Sequence, residues 1–325
     1  MNAKIISTGS YLPEKILTNS DLEKMVDTNN EWIVQRTGIK VRHIADGEST
    51  SDLAYKAALD AINKIHLDPL DIDLIILATV TPDMPLPATA LFVQEKLGAK
   101  NAFCFDINAA CSGFMYSLSI ANAYIKSGTV KKALIIGAEE LSKITDWTDR
   151  STCVIFGDGA ACVVLEATDD ENRGILDIRL KSDGAYTNLM RVPAPGSIKQ
   201  CSEEVIKNRE IYIKMLGNET FKMSVRHIAS ISEESLESVG LNFSDVDCMV
   251  CHQANKRIID AVVRRIKIPA ENAVITVDRH GNTAAASIPL ALDWANKNVK
   301  IKEDDILLLN SFGASLTWAA SVIRW

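Results

Sequence analysis

Cys111 is the residue on which chemistry in this chain would turn. It stands between a strand-like run, Phe103-Cys104-Phe105-Asp106-Ile107, and a stretch from Phe114 to about Ile125 in which apolar and small residues recur as on a buried helix. The intervening Asn108-Ala109-Ala110-Cys111-Ser112-Gly113 is built of small residues that let a substrate approach the backbone. A thiol at a helix N-terminus meets the positive end of the helix dipole, which favours the thiolate. The free N–H groups there can hold a developing oxyanion. Such a cysteine can attack a thioester and keep the acyl group as a new thioester. His252 and Asn282 are suited to assist, because a neutral imidazole Nε2 and a carboxamide can both donate to an enolate or thioester oxygen.

The elements that must position these residues alternate along the chain. Strand-like runs at Leu74–Val80, Phe103–Ile107, Ala133–Ile136, Cys248–Cys251, Val274–Val277 and Ile306–Leu309 are separated by helical patterns, which defines an α/β chain. Two stretches resemble each other. Ala99-Lys100-Asn101-Ala102 precedes the strand that leads to Cys111, and Ala270-Glu271-Asn272-Ala273 precedes the strand that leads to Asn282. Both pairs are separated by 171 residues. Asp71-Ile72-Asp73-Leu74 likewise matches Asp245-Val246-Asp247-Cys248. We expect a duplicated α/β unit, with halves 1–170 and 171–325 joined somewhere in the turn-rich 167–210, and Asn282 as the duplicated equivalent of the nucleophile. In papain-like proteases a Cys-His-Asn set uses the asparagine to orient the histidine. The duplication instead makes Asn282 a direct donor. Ligands gather at the carboxyl ends of strands in open α/β sheets. Cys111, His252, Asn282 and the turn Phe312-Gly313-Ala314-Ser315 all fall there.

Composition narrows the function classes. The 325 residues are 47% hydrophobic and 24% charged, as in ordinary globular proteins, and the net charge of −7 argues against a general nucleic-acid binder. The N-terminus lacks the pattern of a signal peptide, and no apolar run is long enough to cross a bilayer, so no membrane association is expected. Seven irregularly spaced cysteines fit reduced thiols in the cytoplasm. Cys248-Met249-Val250-Cys251-His252 fits the haem-attachment pattern C-x-x-C-H, but within a strand residues three apart face opposite sides. No second C-x-x-C completes a zinc site, and no metal or cofactor is expected. His280 is assigned a loop or interface role.

At these residues the chain resembles the beta-ketoacyl-acyl-carrier-protein synthase III family, within the thiolase-like superfamily. The motifs are Asp27-Thr28-Asn29-Asn30-Glu31-Trp32-Ile33, Arg36-Thr37-Gly38-Ile39, Ala109-Ala110-Cys111-Ser112-Gly113, Phe156-Gly157-Asp158-Gly159-Ala160, His252-Gln253-Ala254-Asn255 and Gly281-Asn282-Thr283. The resemblance implies a five-layered α/β/α/β/α thiolase-like fold from two duplicated halves, a homodimer and a two-stage reaction. An acyl-CoA loads Cys111, malonyl-acyl-carrier-protein then loses carbon dioxide, and His252 and Asn282 stabilise the enolate that attacks the acyl group. The amides of Cys111 and Ala314 would form the oxyanion hole. Trp32 would stack the CoA adenine, Arg36 and Arg150 would meet its phosphates, and Thr28, Asn218, Phe221, Ala254 and Asn255 would line the pantetheine path.

The carrier-protein site can also be argued physically. Residues 255–267 read as an amphipathic helix with apolar Ile258, Ile259, Val262, Val263 and Ile266. Arg257 and Arg264 share a face, Lys256 and Arg265 flank them, and Lys222 and Arg226 form a second basic pair. Such a patch on an acidic protein suits an acidic partner, which the carrier protein is in this family. The chain departs from the family in two places. Gly313-Ala314-Ser315 replaces a Gly-Gly-Gly turn, and Leu86 stands where an aromatic often caps the acyl pocket across the dimer, so primers longer than acetyl are expected. The alternative reading is a specialised-metabolism relative that condenses or transfers an unusual acyl group.

Overall fold

The computed structural model of the chain describes residues 1–314 and 316–325, so Ser315 of the expected oxyanion turn lies outside the described residues. One sheet holds β1 (Asn2–Tyr11), β2 (Leu74–Ala78), β3 (Phe103–Ile107), β4 (Lys132–Glu139) and β5 (Gly159–Thr168) in the order β1-β5-β4-β2-β3. In it β2 runs parallel to β3 and β4, and β5 antiparallel to β4 and β1. A second sheet holds β6 (Gly174–Ser182), β7 (Cys248–Cys251), β8 (Ile306–Gly313) and β9 (Thr317–Arg324) in the order β7-β8-β9-β6. Its pairings repeat the pattern: β7 parallel to β8, and β9 antiparallel to both β8 and β6.

The main helices are α1 (Asn30–Thr37), α2 (Thr50–Lys64), α3 (Thr89–Leu97), α4 (Gly113–Lys126), α5 (Gly217–Glu237), α6 (Lys256–Ile266) and α7 (Ser287–Lys297). The near-continuous apolar runs of the central strands follow from burial on both faces. Leu74 and Ile76 face the core shared with α4 and α7, whereas Ile75 and Leu77 face α2 and α3. In the second sheet Cys248 and Val250 point to the same central layer, and Met249 and Cys251 to α5 and α6. The two cysteines of the C-x-x-C-H run therefore lie on opposite faces, too far apart in direction to share a ligand. The layers are helix, sheet, helix, sheet, helix, as expected. Among the described residues, no helix is long and apolar enough to cross a membrane.

The structure corrects the expected register of the duplication. β2 and β7, β4 and β8, and α4 and α7 each begin 174 residues apart. The expected strand Val274–Val277 does not form. Only Ala273 bridges to Met249 of β7, and the chain then enters a short helix, Val277–His280. This helix has no counterpart before Cys111 and absorbs the difference from the local offset of 171. The equivalent of Asn282 is consequently Asn108, not Cys111. Each asparagine Oδ1 accepts the N–H two residues on, from Ala110 at 3.3 Å and from Ala284 at 2.9 Å. Ala110 and Ala284 share a left-handed backbone, with φ of 48° and 42°. Cys111 then corresponds to Ala285, His252 to Ala78, and Ser287 to Gly113.

These two turns meet at the centre of the molecule. A Cβ on Gly137 would lie 2.3 Å from the Ala285 carbonyl oxygen, and one on Gly113 would lie 3.0 Å from the Ala78 Cβ. Gly137→Ala should lower the unfolding free energy in urea by about 1–3 kcal/mol, the usual cost of forcing an extra carbon into a packed interior.

Candidate active site

The strand-to-helix junction around Cys111 is a single 3-10 turn, Ala110–Ser112, running into α4. The left-handed Ala110 turns the chain sharply, which is a local cost of the kind that surrounding contacts must hold in place. Those contacts come from the end of β8 and the start of β9. Thr317 Oγ1 donates to the Ala109 carbonyl at 3.0 Å, and Ser311 Oγ donates to Ser112 Oγ at 3.0 Å. Gly313 must be glycine, because a Cβ there would lie 2.6 Å from Thr317 Oγ1 and 2.9 Å from the Ser112 nitrogen.

His252 follows β7 directly, and its N–H donates to the Asn310 carbonyl of β8 at 2.9 Å. Its Nδ1 lies 2.5 Å from Ser287 Oγ at the start of α7. The same Oγ accepts the Gln253 N–H at 3.3 Å, so its own proton is free to go to Nδ1. With Ser287 as the donor to Nδ1, the imidazole proton is on Nε2, where it can be donated to a ligand. Gln253 itself is buried and braces the loop: Nε2 donates to the carbonyls of Cys251 and Val274, and Oε1 accepts from the Thr276 and Val277 amides.

Asn282 is held by its backbone to the 155–157 segment. Its N–H donates to the Ile155 carbonyl at 2.9 Å, and its carbonyl accepts the Gly157 N–H at 3.1 Å. Because Oδ1 is used by the Ala284 amide, Nδ2 is the group left for a ligand. Cys111, His252, Asn282 and Ala314 all line one cavity of about 590 Å³.

At the inner end of the cavity burial governs the charge state of Cys111 and His252. Burial pushes the Cys111 thiol up to about 12, with the Glu139 carboxylate adding to the rise, while the amides of Ala314 and of Cys111 itself pull the other way. The expected thiolate-favouring turn is therefore outweighed by desolvation. The two amides that favour charge at the sulfur are the pair expected to hold an oxyanion. Burial holds His252 down to about 3, so the imidazole stays neutral. His280 is also buried, and its nitrogens are occupied by the Gly281 carbonyl at 2.8 Å and Thr276 Oγ1 at 2.9 Å. This corrects the expectation of a loop or interface histidine to that of an internal brace.

The same cavity runs outward past Trp32, Arg36, Asn218, Phe221, Ala254 and Asn255, with Lys222 and Arg257 at its wall. Asn29 caps α1 by accepting the Trp32 N–H at 2.8 Å. Arg150 lies 4.7 Å over the Trp32 ring and Arg36 lies 5.9 Å from it. Arg150 is therefore beside the cavity rather than in its lining, anchored to the Asp27 carbonyl at 2.8 Å. Thr28 is not in the lining either, and its buried hydroxyl has no hydrogen-bond partner among the described residues. Asn255 caps α6 and donates to the Arg36 carbonyl at 3.0 Å, which ties the two walls together. On α6, Ile259, Val262 and Ile266 are buried while Lys256, Arg257, Arg264 and Arg265 are exposed, with Lys256 paired to Asp260.

A second cavity of about 520 Å³ opens on the other side of Cys111. Val80, Leu141, Ile144, Phe156, Met190 and Ile213 give it an apolar wall. Leu86, expected at an acyl pocket, lines neither cavity and is 84% exposed. Sequence reasoning missed Ser287, whose only signal is its place at the head of the helix after Asn282, and Glu139, a carboxylate ending an apolar strand.

The chain matches the family models for 3-oxoacyl-[acyl-carrier-protein] synthase III over residues 105–184 and for its C-terminal region over 236–325. It is 48% identical over 322 residues to beta-ketoacyl-[acyl-carrier-protein] synthase III of Desulfitobacterium hafniense, covering 99% of this chain and 97% of the relative. The crystal structure of 3-oxoacyl-[acyl-carrier-protein] synthase III from Aquifex aeolicus superposes with a TM-score of 0.92 at 45% identity, covering 99% of this chain and 100% of that one. The priming beta-ketosynthase of the R1128 polyketide pathway superposes equally well at 30% identity, covering 99% and 96%. The chain belongs to the 3-oxoacyl-[acyl-carrier-protein] synthase III family of condensing enzymes.

Proposed function

We propose that this chain catalyses the decarboxylating condensation of an acyl-CoA primer with malonyl-acyl-carrier-protein, giving a 3-oxoacyl-carrier-protein and starting fatty-acid synthesis. The observation that carries this reading is a single cavity in which a buried cysteine meets two side-chain donors and two aligned amides. In the first stage the Cys111 sulfur attacks the acyl carbonyl. The amides of Cys111 and Ala314 take the oxyanion, and CoA leaves as its thiol with the proton that Cys111 loses. In the second stage the malonyl carbon–carbon bond breaks and carbon dioxide departs. The electron pair becomes an enolate held by His252 Nε2–H and Asn282 Nδ2–H. The enolate carbon attacks the acyl-cysteine and the thiol is restored. No cofactor enters this scheme, and an imidazole that stays neutral is the form it needs.

CoA occupies the outer cavity, with its adenine against Trp32, its phosphates near Arg36 and Arg150, and its pantetheine arm passing Asn218, Phe221, Ala254 and Asn255, while Thr28 stays behind the lining. The acyl chain occupies the second, apolar cavity, where a two-carbon group would leave most of the wall without contacts. The protein acts as a homodimer in the cytoplasm. Three features support this: β3 is an edge strand with Phe103 43% exposed, Leu86 projects without a neighbour to cover it, and all seven cysteines are free thiols. The halves 1–170 and 171–325 are its two structural units, since each sheet draws its strands from one of them.

Separated half-reactions test the assignment. Cys111→Ser should abolish the acyl-enzyme seen by mass spectrometry. His252→Ala, Asn282→Ala and Ser287→Ala should acylate normally but release labelled carbon dioxide from malonyl-carrier protein at least about 100-fold more slowly, the scale of a lost transition-state donor. Normal decarboxylation in the His252 or Asn282 variant would refute the roles. The double variant Arg264→Glu with Arg265→Glu should raise the KM for malonyl-carrier protein about 5- to 20-fold and flatten its salt dependence, with self-acylation by acyl-CoA unchanged. Competing acyl-CoAs should load Cys111 with primers longer than acetyl. Leu86→Phe should shift that preference towards shorter ones, an effect that only a partner subunit's cavity can transmit.

A further inference from the structure

The duplication leaves a second, altered copy of the catalytic turn inside the molecule. At the site, the Cys111 amide faces the cavity. Its counterpart, the Ala285 amide, faces the carboxylate of Glu139, which ends β4 and is fully buried. Ala78 and Gly113 stand in place of His252 and Ser287, and the space a larger side chain would need at Gly113 is taken by the Ala78 and Ala285 methyl groups. Glu139 Oε2 also accepts from Thr81 Oγ1 at 2.8 Å, the Val80 amide at 3.0 Å and Thr79 Oγ1 at 3.2 Å. Its Oε1 accepts no well-formed hydrogen bond among the described residues. Among the described residues no cation is paired with it.

Both backbone segments that Glu139 holds border Cys111. Val80 and Ala284 line the apolar cavity together with the thiol. The carboxylate and the sulfur are also close enough for the charge of one to disfavour charge on the other. We propose that Glu139 is a positioning residue that anchors the inner wall of the acyl cavity and sets the nucleophilicity of Cys111 by its own charge. As a neutral acid it permits the thiolate; as a carboxylate it suppresses it. Burial moves Glu139 up to about 7, so the exchange between the two forms falls near neutral pH. Glu139 is the one charged group whose field acts on the Cys111 sulfur among the described residues. His252 stays neutral, and Glu140 is turned to Lys143.

This inference rests on Cys111 as the nucleophile, and its test separates the two. Iodoacetamide alkylation of Cys111, located by peptide mass spectrometry, is followed from pH 6 to pH 9 in the wild type and in Glu139→Gln. The ratio of rates, variant to wild type, should be near one at pH 6 and rise to about 3- to 10-fold by pH 8.5, as the wild-type carboxylate becomes charged. Thr81→Val keeps the acid but removes one donor. It should move the wild-type step to higher pH, and it serves if the first variant folds poorly. A ratio that is the same at every pH in both variants would overturn the proposal, leaving Glu139 a packing residue. Loss of acylation in Cys111→Ser would stand regardless of that result.

Discussion

The close approach of two backbone turns at the centre of the molecule governs the rest. The turns at 110–112 and 284–286 abut across the interior. Gly113 and Gly137 are the places where a side chain would block that approach, one against Ala78 and the other against the Ala285 carbonyl. Because the sheets lie on either side of these turns, the strands that end beside them deliver Glu139, His252 and Gly313 to the same region. The contact is made by backbone atoms and small side chains, so it tolerates little displacement.

Symmetry of the chain path is matched by asymmetry of the side chains. Each asparagine, Asn108 and Asn282, caps its own turn through Oδ1 in the same way. One copy carries the thiol and borrows the imidazole and the carboxamide from the other. At the mirrored turn Ala285 stands in place of the thiol, while Ala78 and Gly113, from the half that carries the thiol, stand in place of His252 and Ser287, and the Glu139 carboxylate meets the Ala285 amide. The fold thus supplies two similar backbone cradles, and one of them opens onto a cavity.

Electrostatics in the cavity depend on the same burial. Desolvation raises the thiol and lowers the imidazole, so both stay uncharged. Neutral donors suit a reaction whose negative charge appears only in passing, first on a thioester oxygen and then on an enolate. Amides, an imidazole N–H and a carboxamide are already oriented there, so little rearrangement accompanies the appearance of charge.

The order of elements, the buried strands and the three chemical side chains could be read from the residues alone, because apolar runs such as Leu74–Ala78 and Cys248–Cys251 are buried on both faces and small residues crowd Cys111. The duplication was visible too, but its register was not. The match of Ala99 with Ala270 is real, yet it breaks where Val277–His280 coils into a helix, and residue identity does not record that the chain left the sheet there. The partner of His252 Nδ1 is Ser287, which arrives at the head of a helix far along the chain. The high resting value of the Cys111 thiol was settled by burial, against the helix-end argument that favours its ionisation. Periodicity and local residue type dictate which segments form and which groups can react. Solvent exclusion and the meeting of distant turns are properties of packed space, and those decided how the groups are charged and which way they point.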